Sequence, residues 1–172
     1  MALADRMIRA ARLDAALYEE VEADPTLTGQ AVGVVILAAV AAGIGGAVRA
    51  GLGGLVAIAA AALISWYIWA YLTYWIGTRL LPEAQTQADV GQMMRTIGFS
   101  SSPGLVRVAG VIPGLTALAF VVGNIWMLVA MVIAVRQALD YRSTWRAVGV
   151  VAIGWIVHSL TLGVLLRLLR AA

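Results

Sequence analysis

Residues 98–113 read Gly-Phe-Ser-Ser-Ser-Pro-Gly-Leu-Val-Arg-Val-Ala-Gly-Val-Ile-Pro, and they open a long apolar segment. Pro103 suits the first turn of a helix, because its missing N–H would have no partner there, and the serines before it offer side-chain caps. Arg107 follows about one turn later. Pro113 would interrupt the helix near its middle, which membrane helices tolerate when neighbouring helices satisfy the freed carbonyl. The stretch therefore predicts a membrane-spanning helix that carries an arginine and a kink.

The composition is that of a membrane protein. Hydrophobic residues make up 62% of the 172 residues, and the mean hydropathy is +0.92, whereas soluble domains are about 45–50% apolar. All 12 basic residues are arginine and are scattered along the chain, which disfavours nucleic-acid binding because that needs a continuous basic patch. The sequence has no cysteine, so disulfides and thiolate metal sites are excluded. The acidic N-terminal stretch does not read as a cleaved signal peptide.

Apolar runs long enough for a bilayer core of about 30 Å predict five transmembrane helices. They lie at about residues 30–48, 52–76, 103–122, 125–135 and 147–169. A tight turn at Gly123-Asn124 is predicted between the third and the fourth. We therefore expect an all-α fold, an integral membrane bundle of five transmembrane helices with short amphipathic helices at the cytoplasmic surface. In this scheme residues 1–29 are the cytoplasmic amphipathic segment and residues 30–172 are the five-span domain.

Amphipathic stretches lie outside the predicted spans. Residues 2–22 place apolar and charged residues at helical spacing, which fits a helix lying in the membrane interface and equally a solvated helix that covers loop ends. A second short helix is predicted over residues 88–98. The second span is rich in tryptophan and tyrosine, and we interpret this cluster as an interface belt in preference to a partner surface.

The distribution of arginine predicts the orientation, because cytoplasmic loops are enriched in basic residues. With the N-terminus inside, the cytoplasmic arginines are Arg6, Arg9, Arg12, Arg79, Arg95, Arg136, Arg142 and Arg146. Only Arg49, Arg167 and Arg170 are then outside. The sequence therefore predicts a cytoplasmic N-terminus and an external C-terminus.

Two ionisable residues lie within the predicted spans, and each has two interpretations. His158 would serve as a proton relay or ligand contact, or it would be a neutral histidine bonded to a neighbouring helix. We favour the neutral histidine because no embedded acid accompanies it. Arg107 would bind a lipid head group or close a gate, or its side chain would reach the nearby interface, which we favour.

The sequence contains no residue pattern typical of an enzyme. The N-terminal acids lack a histidine or metal-ligand partner, residues 100–102 lack a general base, and no phosphate-binding glycine fingerprint is present. We expect no enzymatic activity, no metal and no cofactor.

The order of several short motifs resembles a known family. The motifs are Tyr18-Glu19-Glu20-Val21, Asp24-Pro25, Thr96-Ile97-Gly98-Phe99 leading to Pro103, Ile112-Pro113-Gly114, and Trp126 leading to Val135-Arg136-Gln137-Ala138-Leu139. Over about residues 15–169 the chain is similar to the bacterial branch of the Yip family, the Ypt/Rab-interacting multi-span membrane proteins. The resemblance implies a five-span bundle with a cytoplasmic N-terminus. It links eukaryotic members to Rab-type GTPases through a longer acidic, aromatic motif with a Gly-Pro that this chain lacks.

The expected function is that of a non-enzymatic scaffold or accessory subunit in membrane organisation or a membrane complex. The lysine-free, arginine-rich composition suggests the inner membrane of a bacterium. Expected partners are membrane lipids and other membrane proteins, and not nucleic acid. The alternative is a small transporter or channel with a polar cavity around His158 and Arg107. The candidate functional residues are Tyr18, Glu19, Glu20, Asp24, Arg107, Pro113 and His158.

Overall fold

The computed structural model describes the backbone of residues 1–46 and 51–171 and the side chains of residues 1–46 and 53–160. Within these ranges the fold is all-helical. The α-helices are α1 (Leu3–Ala11), α2 (Ala15–Ala23), α3 (Thr28–Gly45), α4 (Gly51–Trp75), α5 (Val90–Phe99), α6 (Thr116–Ala138) and α7 (Thr144–Ala171). A 3-10 turn, Pro25–Leu27, leads into α3, and a π-helical stretch, Ile76–Leu80, extends α4. A 3-10 helix, Ser102–Val111, follows α5, and we call it the 3-10 segment.

Three stretches of the described chain are long and apolar enough to cross a membrane. They are Pro25–Gly45, Gly53–Leu80 and Thr116–Ala138. The part of α7 whose side chains are described, Thr144–Leu160, is a shorter apolar helix. The prediction of an all-helical membrane protein is confirmed. The third and fourth predicted spans are not found as separate long helices, because α6 is continuous where parts of two spans were predicted.

The predicted turn at Gly123-Asn124 is wrong, because both residues lie inside α6. The chain turns at Pro113-Gly114 instead, where a backbone hydrogen bond of 3.0 Å closes residues 112–115. Gly114 has φ +85°, and proline followed by glycine in this conformation is typical of a type II turn. The Pro-Gly pair enforces a turn, whereas Gly-Asn only permits one. Pro113 is therefore part of the turn and not a kink within a spanning helix.

The 3-10 segment lies between α3 and α6 and packs on both. Gly104 near its start packs on Ala38, and Gly110 near its end packs on Gly45. The 3-10 segment therefore runs in the same direction as α3. A 3-10 helix rises about 2.0 Å per residue against about 1.5 Å for an α-helix, so the segment reaches roughly 20 Å. Its winding therefore lets a short stretch follow a large part of α3.

The helices end at two opposite ends of the bundle. One end gathers α1, α2, the start of α3, the π-helical end of α4, the start of α5, and the junction of α6 with α7. We call it the N-terminal end. The opposite end holds the end of α3, the start of α4 and the turn at residues 112–115. α3, the 3-10 segment and α7 therefore run in one direction, and α4 and α6 run in the other.

The amphipathic N-terminal stretch forms two helices and not the single helix predicted over residues 2–22. The break falls at Leu13, whose φ of 63° is uncommon for a residue other than glycine. Asp14 then caps α2 by accepting the N–H of Ala16. α2 packs on α5 and α6, and Leu17 is fully buried. α2 is thus part of the bundle core, which neither predicted alternative describes.

α5 corresponds to the short helix predicted over residues 88–98. It begins with a capping box, in which the Asp89 carboxylate accepts the Gln92 N–H at 2.8 Å and the Gln92 side chain accepts the Asp89 N–H at 2.6 Å. Residues 95–100 are all buried. α5 therefore leads into the bundle and does not lie along its surface.

The aromatic face of α4 points outward. Tyr67, Tyr71 and Trp75 are each about half exposed, as expected of an interface belt. Trp66 is different, because it is buried and donates its indole N–H to the carbonyl of Met94 at 3.0 Å. This bond ties α4 to α5.

Candidate functional site

The side chain of Arg107 turns back from the 3-10 segment toward the middle of α3. Its Nε donates to the carbonyl of Gly104 at 3.0 Å, and its Nη2 donates to the carbonyl of Ala38 at 3.1 Å. Ala38 lies near the middle of α3. The guanidinium therefore reaches toward neither end of the helix, unlike the side chain of a snorkelling arginine.

Glycines at close contacts make this arrangement possible. A Cβ on Gly45 would overlap the carbonyl oxygen of Arg107, and a Cβ on Gly110 would lie 2.5 Å from the carbonyl oxygen of Gly45. On α6, a Cβ at Gly123 would lie 2.8 Å from the Cγ of Arg107. Small residues let membrane helices approach closely. α3 and α6 can enclose the arginine only because these positions lack side chains.

Arg107 has no acidic partner among the described residues, whose ion pairs involve other arginines. The sequence explains why. Its carboxylate side chains occur only within residues 5–24 and 83–89 and at residue 140, and all of these positions belong to the N-terminal end of the bundle. A cation held only by carbonyl oxygens inside an apolar bundle is costly. Within the described residues its charge is met by carbonyl oxygens alone.

A cavity of about 370 Å³ adjoins Arg107. Its wall comes from α3, α4, α6 and the junction of α5 with the 3-10 segment. The side chains of Ser65, Ser101 and Arg107 are polar, and the other lining residues are alanine, valine, isoleucine, methionine and tryptophan. The volume lies toward the lower end of the range for ligand pockets, about 300–1,000 Å³. The site is therefore an apolar cavity with one cation in its wall.

His158 does not line this cavity. Its ring packs on Trp69, with 5.7 Å between centroids and 34° between planes. Trp69 itself lines the cavity, and α7 approaches it closely at Gly154, where a Cβ would lie 2.9 Å from the indole ring. His158 and Arg107 thus occupy neighbouring positions but do not share one cavity.

Among the N-terminal candidates, Glu20 joins α1 to α2. One oxygen accepts from the Nε of Arg6 at 3.0 Å, and the other accepts from Nη1 of Arg9 at 2.7 Å. Arg6 also donates to the side-chain oxygen of Gln30 in α3 at 3.2 Å. These contacts fasten α1 onto the start of the bundle.

The other N-terminal candidates are also engaged within the protein. Glu19 accepts from the side-chain amide of Gln137 in α6 at 2.7 Å. Asp24 accepts the N–H and the hydroxyl of Thr26, and so begins the 3-10 turn before α3. Tyr18 is fully buried, and its hydroxyl donates to a carbonyl of α1 at 3.3 Å. Burial raises the pKa of Tyr18. These residues therefore join helices or begin them, and among them Tyr18 alone is fully buried.

The family of this chain follows from a comparison with known protein families. The Yip1 domain family matches residues 14–166. The chain belongs to this family. No curated protein and no solved structure matches it significantly. The matched region begins at the residue that caps α2 and ends within α7, so the Yip1 domain includes the cavity and the 3-10 segment but not α1.

Glu22 is a buried residue of the Yip1 domain that the sequence reasoning missed. It is 8% exposed, and its Oε2 has no hydrogen-bond partner among the described residues. Burial raises its pKa to about 7, and the nearby carboxylates of Asp140 and Glu19 act in the same direction. Its position in the sequence indicated this burial, because Glu22 follows Tyr18 by four residues and so lies on the same face of α2.

Arg95 of the Yip1 domain was predicted only as a cytoplasmic charge, but it is 5% exposed. Its Nε donates to the carbonyl of Val21 at 2.8 Å, and its Nη2 donates to the carbonyl of Glu22. Both carbonyls lie at the end of α2, where an arginine is favourable. Arg95 therefore anchors the end of α2 to α5.

Tyr141 and Glu83 hold the end of α4 to the start of α7 within the Yip1 domain. The hydroxyl of Tyr141 lies 2.9 Å from the carbonyl of Gly77 and 2.7 Å from that of Leu81. The carboxylate of Glu83 accepts the N–H of Arg142 at 3.0 Å, and this bond lowers the pKa of Glu83. Neither Tyr141 nor Glu83 belongs to a sequence motif, so neither could be selected from the sequence alone.

Proposed function

We propose that this Yip1-domain protein is a non-enzymatic scaffold or accessory subunit that organises the bilayer or a larger membrane complex. In support, the carboxylates Glu19, Glu20 and Asp24 are engaged in contacts that join helices or begin them. The outward faces of α4, α6 and α7 expose large apolar side chains. A protein of this kind is suited to packing against other membrane helices.

The observation that carries the proposal is an apolar groove of about 340 Å³ between α6 and α7. Its lining residues are Leu128, Val132, Val148, Val151, Ala152 and Trp155. Trp155 is 63% exposed at the side of the groove. Large side chains beside small ones form the ridges and grooves through which helices pack. We assign this face to a transmembrane helix of a partner protein.

The proposed topology has five membrane passes, made by α3, by α4, by the buried end of α5 together with the 3-10 segment, by α6 and by α7. Their alternating directions support it, and so does the position of the 3-10 segment between α3 and α6, because non-α backbone at membrane depth has to be covered by protein. Eight of the arginines belong to the N-terminal end. The positive-inside rule then favours a cytoplasmic N-terminus and an external C-terminus. The lysine-free composition favours a bacterial inner membrane.

Photo-crosslinking from two equally exposed positions tests the scaffold role. Trp155 on α7 and Ile64 on α4 are each 63% exposed, and each is replaced in turn by a photo-reactive amino acid in the native membrane. We expect a protein adduct of one defined mass from position 155 and only lipid adducts from position 64. Lipid adducts alone from both positions would contradict a partner helix on α7.

The alternative, a small transporter or channel around Arg107 and His158, has weaker support, because the two side chains do not share a cavity. Reconstitution in liposomes separates the two functions. Solute flux that requires the purified protein and is lost in His158→Ala would favour the transporter over the scaffold.

A further inference from the structure

We propose that the cavity beside Arg107 binds a fatty acid, with its carboxylate on the guanidinium and its hydrocarbon chain along the apolar wall. This inference concerns a ligand inside the bundle. It goes beyond the scaffold role and does not depend on it.

The charge of Arg107 calls for an anion that the chain does not supply. Nε and Nη2 are bonded to carbonyls, and Nη1 makes no hydrogen bond within the described residues. The carboxylate side chains all lie at the N-terminal end of the bundle. A guanidinium presents parallel N–H groups that match the two oxygens of a carboxylate. A carboxylate in the cavity would therefore supply the missing charge and use the free donors.

The wall of the cavity suits a hydrocarbon chain. Val35, Ile58, Ala62 and Met127 contribute apolar side chains from three different helices. The indole N–H of Trp66 is already engaged by a backbone carbonyl, so it adds no free donor to the wall.

The position of the guanidinium favours a fatty acid over an acidic phospholipid. Desolvation raises the pKa of a carboxyl group, so a fatty acid crosses the apolar region in its neutral, protonated form. Beside Arg107 the charged form is favoured, and the acid then releases its proton to water. A phosphodiester stays ionised and would bear the full cost of transfer to the middle of the bundle. The cavity volume of about 370 Å³ also suits one chain better than two.

Native mass spectrometry of the purified full-length protein in a neutral detergent tests the proposal. The protein is titrated with oleate, with methyl oleate, which has the same chain without the charge, and with phosphatidylglycerol. We expect saturable binding of one oleate, with methyl oleate and phosphatidylglycerol each weaker by about tenfold or more. Equal binding of oleate and methyl oleate would overturn the role of Arg107. Phosphatidylglycerol binding as tightly as oleate would overturn the choice of a fatty acid.

Two pairs of variants locate the bound oleate. Arg107→Gln removes the charge, and its control is Arg79→Gln at an exposed arginine at the end of α4. Ala62→Phe fills the cavity and keeps Arg107, and its control is Ala61→Phe at an exposed neighbouring position. We expect both cavity variants to bind oleate about tenfold more weakly or worse, and both controls to bind it as the wild type does. Wild-type affinity in Ala62→Phe, or equal losses in a variant and its control, would overturn the site. The comparison of the three lipids on the wild type stands even if a variant does not fold.

Discussion

Replacing Glu22 with glutamine is expected to stabilise the protein at neutral and alkaline pH. Glu22 is 8% exposed, and one of its carboxylate oxygens lacks a partner among the described residues. The carboxylates of Asp140, Glu19 and Asp89 face it, and the nearby Arg95 only partly offsets them. Burial and these charges raise the pKa from an ordinary 4.5 to about 7 in the folded protein. Ionisation of Glu22 therefore destabilises the fold.

The sign and size of the effect follow from proton linkage. Between pH 4.5 and about 7 the folded protein keeps a proton that the unfolded chain has lost, so the free energy of unfolding falls as the pH rises. At about 1.36 kcal/mol per pKa unit, the whole interval corresponds to roughly 3 kcal/mol. Glutamine does not titrate. Glu22→Gln should therefore match the wild type near pH 4.5 and exceed it by up to roughly 3 kcal/mol at pH 8.

Thermal unfolding in detergent, followed by tryptophan fluorescence from pH 4.5 to 8, measures this difference. A change of 1 kcal/mol shifts the melting temperature of a chain of this size by roughly 2–4 °C, so the expected gap at pH 8 is easily resolved. Asp5→Asn, at an exposed acid of α1, is the control and should keep the slope of the wild type. Parallel curves for the wild type and Glu22→Gln, or a less stable variant at pH 8, would refute the reasoning.

Three further predictions concern packing and topology. Gly45→Ala places a methyl group on the carbonyl oxygen of Arg107 in the 3-10 segment and should lower the free energy of unfolding by about 3 kcal/mol or more. The control Gly33→Ala places its methyl group in open space and should melt at the temperature of the wild type or slightly higher. Tyr141→Phe removes the one hydroxyl proton that the carbonyls of Gly77 and Leu81 share. It should lower the free energy of unfolding by about 1–3 kcal/mol, measured by thermal melting, and no change would show that this hydroxyl is dispensable for stability. Because the chain has no cysteine, single cysteines introduced at Ala84 and Val111 can be labelled with a membrane-impermeant reagent. In the proposed topology, position 84 is labelled from the cytoplasmic side and position 111 from outside. Labelling of both positions from one side would contradict the topology.

Hydropathy predicted much of the fold because a bilayer dictates which segments are apolar. It located α3 and α4, whereas the short helix α5 was predicted from apolar residues that share one helix face. The error at Gly123-Asn124 arose because the hydrogen-bonded ladder of α6 continues through a glycine that makes room for Arg107. The 3-10 winding was not predictable, because its glycine contacts with α3 become visible only when the two segments are side by side.

The candidate site was predicted in one respect and missed in others. Arg107 stood out because an arginine within an apolar run is rare, yet the direction of its side chain depends on carbonyls of another helix. Pairing it with His158 was unsupported, because spacing along the sequence does not show that Trp69 separates the two. Glu22 and Arg95 looked like ordinary surface charges, since burial by α5 and α6 is a long-range effect.

The ten residues of the 3-10 segment also decide whether the number of membrane passes is odd or even. In the proposed topology they supply the odd pass, and without it the chain would cross four times and return its C-terminus to the cytoplasm. A search for long apolar α-helices overlooks such a pass, because it is divided between the end of α5 and a 3-10 helix of only ten residues. A reporter fused to the C-terminus would therefore read out the course of a segment at the centre of the bundle, far along the chain from the fusion point.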